Sequence, residues 1–210
     1  MSISHSIRES MVKGSWIRQM FEAGARLKAE HGAENVFDFS LGNPILEPPE
    51  QVHEQIKRLL EKSEHGMHRY MPNAGFGETR EFIAGVMRDE TGYPFGSEDI
   101  VMCVGAGGGL NVVFKALLEA GDEVLALTPY FVEYGAYVQN HGGRLTLAET
   151  TSEFQPDLDS IEASLSEQTK IVIINSPNNP TGAVYSQQIL EELAQLLFRK
   201  EKDYGHPIYL

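Results

Sequence analysis

The chain is predicted to be an α/β protein built on a mostly parallel sheet, with three layers and a helical segment ahead of them. Two observations carry this. From Asp99 onward, short apolar runs at 100–104, 123–127, 144–148, 171–175 and 207–210 alternate with helical patterns or loops. Before Asp99 the apolar residues instead follow helical spacing, with one exception.

In order, Ser15 can cap a helix carrying Ile17, Met20, Phe21 and Leu27, which His31-Gly32 ends. The exception is "VFDFSLGNP" (36–44), which alternates like a strand and breaks at Gly42-Asn43-Pro44. "EPPEQVHEQIKRLLEKS" then places Val52, Ile56, Leu59 and Leu60 along one helical face, with Pro49 near the first turn. A polar, glycine-broken loop from His68 leads into a third helix through Phe82, Ile83, Val86 and Met87. A composition break at 42–50 suggests a domain boundary, with 1–45 as an arm and 46–210 as the main domain. The run that opens at Pro207 is shorter than a typical strand, so the sheet is expected to be incomplete at the C-terminus.

Composition narrows the function. Thirty acidic residues against seventeen basic give a formal net charge of -13, which repels phosphate backbones and anionic membranes and argues against nucleic acid as a partner. No stretch approaches the roughly 18 apolar residues of a membrane helix, and the start of the chain has no apolar signal core. The lone Cys103 forms no internal disulfide and, between Met102 and Val104, is expected to be a small core hydrophobe on a buried strand. The setting these features suggest is a reducing cytoplasm. His65 and His68, three apart and without a carboxylate or thiol ligand beside them, make a poor metal site, and no metal is assigned.

"CVGAGGGLNVVFKALLEAGDEVLAL" (103–127) sets a glycine cluster at the mouth of a helix. A helix N-terminus exposes unpaired N–H groups and the positive end of the macrodipole, so Gly105, Ala106 and Gly107 suit an anion. A tight turn with no ligand is as good a reading of the cluster alone. A dinucleotide fingerprint counted from Gly105 would need glycine where Leu110 stands, and a P-loop would need Lys-Ser/Thr after Gly109, where Leu110 and Asn111 stand. Two further segments, "TPYFVEY" (128–134) and "INSPNNPTG" (174–182), follow later strands and converge on the same carboxyl edge, where α/β ligands bind.

Together, "FSLGNP", "RYMPNAGFGETREFIA", "VGAGGGL", "GDEVLALTPYFVEY" and "SPNNPTG" resemble, in this order and over essentially the whole chain, the class I/II aminotransferases of the fold-type I pyridoxal-phosphate enzymes. The resemblance implies a three-layer pyridoxal-phosphate transferase-like large domain and a homodimer. It implies that the coenzyme phosphate sits on the amides of Gly105, Ala106 and Gly107. Phe131 would stack on the pyridine ring, and Asn179 would donate to its phenolate oxygen. Tyr70 would reach a partner subunit's phosphate, and Gly42 would lie in the segment that approaches the substrate carboxylate. It also implies exchange of an amino group between an α-amino acid and a 2-oxo acid. A β- or γ-lyase and a non-catalytic binder of another phosphorylated ligand are the alternatives. The family's imine-forming lysine and its pyridine-nitrogen carboxylate are expected beyond Leu210, so no catalytic residue is assigned within 1–210 and the chain alone is expected to be inactive.

Overall fold

A computed structural model describes residues 3–13, 15–39, 42, 46–62 and 66–210. The chain divides into two compact units, residues 1–70 and 71–210.

The first unit is helical. It contains α1 (His5–Lys13), α2 (Ser15–His31), a short 3-10 turn at Ala33–Asn35 and α3 (Glu50–Lys62). The Ser15 and Ile17 side chains lie outside the described ones. Residues 36–39 are irregular rather than strand, and Phe37 and Phe39 are exposed, which corrects the alternation read there; Ser40, Leu41, Asn43 and Pro44 lie outside the described residues. The physical reason is that alternation favours a strand only where a neighbour accepts its backbone groups. Here the local tie is an ion pair from Lys28 to Asp38 at 2.8 Å.

The second unit opens with α4 (Gly77–Thr91), a 3-10 turn at Ser97–Asp99, and α5 (Gly105–Leu117). There follow β1 (Glu123–Leu127), α6 (Glu133–Asn140), β2 (Arg144–Ala148), α7 (Leu158–Ser164), β3 (Thr169–Ile173) and α8 (Gln187–Tyr204). The three strands are parallel in the order β2-β1-β3. The last apolar run extends this order. Tyr209 bridges Ile171 in parallel, its N–H donating to the Lys170 carbonyl at 2.9 Å and its carbonyl accepting from Val172 at 2.8 Å.

β1 is buried along its whole length, as a strand covered on both faces must be. Its alternate side chains enter two separate cores. Val124 and Ala126 pack with Ile171 and Ile173 of β3, Phe114 of α5 and Tyr134 and Val138 of α6. Leu125 and Leu127 pack with Val172, Ile161 of α7, and Leu193, Leu196 and Leu197 of α8. One helix pair therefore covers each face, giving the three-layer αβα sandwich. Asp157 caps α7 through its carboxylate, which accepts from the amides of Asp159 and Ser160 at 3.1 Å each. Asp157→Ala is expected to cost about 1 kcal/mol, read as a lower urea midpoint at unchanged slope.

The run at 100–104 is not a strand, which corrects that expectation. Its backbone finds partners elsewhere: Arg80 donates to the Ile100 carbonyl at 2.8 Å, and the Met102 N–H donates to the Ala74 carbonyl at 3.0 Å; just ahead of the run, Arg80 also donates to the Ser97 carbonyl and Arg88 to that of Phe95. The Arg80 guanidinium and the Ala74 carbonyl thus do at Ile100 and Met102 what a neighbouring strand would have done, while Arg88 ties down the segment just before. Cys103 is consequently exposed, not a core residue, and Val104 beside it is 94% exposed.

Candidate functional site

Chain direction assembles the site. α5 ends just before β1 begins, so it runs back along the sheet and its N-terminus lies at the end where the parallel strands finish. The loops that leave β1 and β3 start at that same end, and because these strands are neighbours the loops are neighbours too. One buried side chain joins them. Asn178 donates through Nδ2 to the Pro129 carbonyl at 3.1 Å and to the Thr181 hydroxyl at 3.0 Å. Its own N–H donates to the Ala183 carbonyl at 2.8 Å, and its carbonyl accepts from Gly182 at 2.7 Å.

At the mouth of α5, Gly105 adopts φ 65°, a left-handed conformation that favours glycine. Its N–H donates back to the Cys103 carbonyl at 3.2 Å, and the Gly108 N–H closes the first turn on the Val104 carbonyl at 3.2 Å. Of the three amides expected to face an anion, those of Ala106 and Gly107 are left without a hydrogen-bond partner among the described residues. At Gly107 a Cβ would lie 2.9 Å from the Tyr137 hydroxyl, so this position has room for glycine alone unless the tyrosine moves.

Phe131 lies in the loop after β1, half-buried, with its ring edge-to-face on Tyr134 at 5.6 Å and 80°. Burial raises the Tyr134 phenol above its ordinary pKa, and Tyr137 adds to the shift; Tyr134 is a neutral packing ring at physiological pH that holds Phe131 in place. Asn179 is exposed, and its N–H is fixed by Asn175 Oδ1 at 2.8 Å. Buried Asn178 thus anchors the loop while its neighbour Asn179 projects an amide. Gly105, Ala106, Gly107, Phe131 and Asn179 all belong to the second unit and to one sheet edge. Tyr70 and Gly42 belong to the first unit, where both are exposed.

Sequence reasoning did not find Asn178 or Tyr137. The spacing of Asn178 and Thr181 is a local sign of a side-chain-braced turn. Nothing local signals the contact between Tyr137 and Gly107, which are thirty positions apart in sequence. Among the described residues no group of three or more His, Cys, Asp or Glu is placed to hold a metal ion, and no helix is long and apolar enough to cross a membrane.

The second unit is a parallel αβα sandwich with a glycine-lined helix mouth, an aromatic loop and an asparagine loop at one edge, the architecture of a transferase of the aminotransferase kind. Residues 34–202 match the family model described as aminotransferase class I and II, and the chain belongs to that family. It is 40% identical over 157 residues to the aspartate/prephenate aminotransferase of Thermus thermophilus, an alignment that takes in 74% of this chain and 40% of that one. It is 37% identical over 183 residues to the aspartate aminotransferase of Thermotoga maritima, covering 86% and 48%. The crystal structure of an amino transferase from Eubacterium rectale superposes with a TM-score of 0.92 at 38% identity, over 99% of this chain and 53% of that one. The chain therefore spans about half the length of the relatives it matches.

Members of this family use pyridoxal phosphate, and the residues present fit it. Two open amides at the positive end of α5 suit a phosphate dianion, a Cβ at Gly107 would crowd the Tyr137 hydroxyl at 2.9 Å, and Phe131 and Asn179 supply a flat apolar face and an amide at the same edge.

Proposed function

We propose that the protein is a pyridoxal-phosphate-dependent aminotransferase that moves an amino group between an α-amino acid and a 2-oxo acid. The observation that carries this reading is the pair of unpartnered amides at Ala106 and Gly107, on the edge that also presents Phe131 and Asn179.

When bound, the coenzyme supplies an electron sink for the substrate's Cα. The chain's own residues hold and orient it. Ala106 and Gly107, with Gly105 shaping the turn, bind the phosphate. Phe131 keeps the ring flat without closing off its rim. Asn179 donates to the phenolate oxygen and lowers the basicity of the group conjugated to it. Tyr70 reaches the phosphate of a partner subunit in a homodimer, and Gly42 lies in the segment that meets the substrate carboxylate. Functionally, 1–45 acts as an arm and small-domain segment and 46–210 as the large domain, a division distinct from the packing units. The protein acts in the cytoplasm.

The test has two arms. The 210-residue chain is expected to bind pyridoxal phosphate more tightly than pyridoxal, and borohydride is expected to fix no stoichiometric lysine adduct within 1–210. The whole protein is expected to convert an amino acid to its 2-oxo acid with the nitrogen retained on a second oxo acid. Release of ammonia instead would make it a lyase.

A further inference from the structure

We propose that Asn111 and His141 form a strut that fixes the first turn of α5, making them positioning residues for the phosphate end of the ligand. The inference rests on the coenzyme site proposed above.

The first five residues of α5 are Gly105, Ala106, Gly107, Gly108 and Gly109. Each glycine in a helix interior is less favourable than alanine, so such a turn frays unless something holds it. A binding turn must nonetheless keep its amides aimed. Bare glycine backbone suits the phosphate sterically and works against it entropically.

Asn111 lies one helical turn on. Its Nδ2 donates to the Gly107 carbonyl at 2.8 Å, and its Oδ1 lies 3.0 Å from His141 Nε2. The chemistry settles the orientation of both groups. A carbonyl only accepts, so the amide nitrogen must face Gly107 and Oδ1 must face the imidazole, whose Nε2 must then carry a hydrogen. The neutral Nε2–H tautomer and the imidazolium both satisfy this, so the strut holds in either protonation state.

His141 is itself anchored. It follows α6 directly, and its N–H donates to the Val138 carbonyl at 3.1 Å, with Val138 fully buried in the core. Tyr137, four residues earlier and so on the same side of the helix, places its hydroxyl 2.9 Å from where a Gly107 Cβ would be. Two side chains from the α6 end thus bear on one turn of α5, one through a hydrogen bond to Asn111 and one by filling space. Neither residue contacts the reacting part of a substrate in this account.

The test compares Asn111→Leu, His141→Leu and His141→Gln with the wild type, titrating pyridoxal phosphate and pyridoxal separately. The glutamine amide can restore a donor toward Asn111 Oδ1. The two leucine variants are expected to bind pyridoxal phosphate about tenfold more weakly, the size of one lost hydrogen bond, with pyridoxal unaffected; His141→Gln is expected to recover most of the loss. In the ligand-free leucine variants, the Gly108 amide that closes the turn is expected to exchange its hydrogen faster. Unchanged exchange at Gly108 overturns the strut whatever binds. So does equal affinity of wild type and variants for pyridoxal phosphate, or parallel weakening of both ligands. A wild type that does not discriminate the two ligands would instead sink the coenzyme site, leaving the exchange result to decide the strut.

Discussion

Gly107→Asp is expected to lower the affinity for pyridoxal phosphate by about 100-fold or more. Two effects add. The new Cβ would lie 2.9 Å from the Tyr137 hydroxyl, so either the tyrosine or the turn must move. The new carboxylate would also stand beside the phosphate, where two like charges about 5 Å apart repel by about 3 kcal/mol at an effective dielectric of about 20. That alone corresponds to about two orders of magnitude in binding. Gly107→Ala carries the steric part without the charge and is expected to lose less. Fluorescence titration of both variants separates the contributions, and unchanged circular dichroism would show that α5 still forms. Wild-type affinity in Gly107→Asp would mean that the phosphate does not approach this turn.

The second large effect is expected at Asn178. Replacing it by leucine removes donors from the Pro129 carbonyl and the Thr181 hydroxyl, part-buried hydrogen bonds worth about 0.5–1.5 kcal/mol each. A loss of about 1–3 kcal/mol is expected, or about 2–10 °C in melting temperature for a chain of this length. Asn178→Asp is the sharper variant. It keeps the shape but turns a carboxylate oxygen toward the Pro129 carbonyl, so it is expected to be at least as destabilising although isosteric. Because Asn178 couples the loop of Phe131 to that of Asn179, both variants are also expected to weaken coenzyme binding. Thermal unfolding with and without pyridoxal phosphate reads the two effects together. A melting temperature within a degree of wild type would show that the two loops hold their spacing without this side chain.

The parts of the fold legible in the sequence are those written locally. Val124–Leu127 is continuously apolar because both its faces are covered, and Gly105–Leu117 shows its helical period directly after its glycines. The run at 100–104 carries the same apolar signal as β1 and is nevertheless irregular. An apolar run records that a segment avoids water, and leaves open what will pair with its backbone. Here the partners are Arg80, on a preceding helix, and the Ala74 carbonyl, and no local pattern encodes the reach of either. Phe82 makes the same point in reverse: helical spacing placed it correctly in α4, yet it is 72% exposed. The site divides in the same way. The glycine turn and the aromatic and asparagine loops were readable from residue type and order. Asn178, Tyr137, Asn111 and His141 act across thirty to forty-nine positions of sequence, and they become visible only when the sheet brings the loops and helices together.

The opening turn of α5 is expected to grip the phosphate of a vitamin B6 coenzyme. A crystal structure of the protein soaked with pyridoxal phosphate tests it most directly. Phosphate oxygens are expected within hydrogen-bonding reach of the Ala106 and Gly107 nitrogens, about 2.7–3.2 Å away, with the ring lying against Phe131 and the Asn179 amide at its phenolate oxygen. Phosphate density at any other place, with those two nitrogens left unliganded, would contradict it.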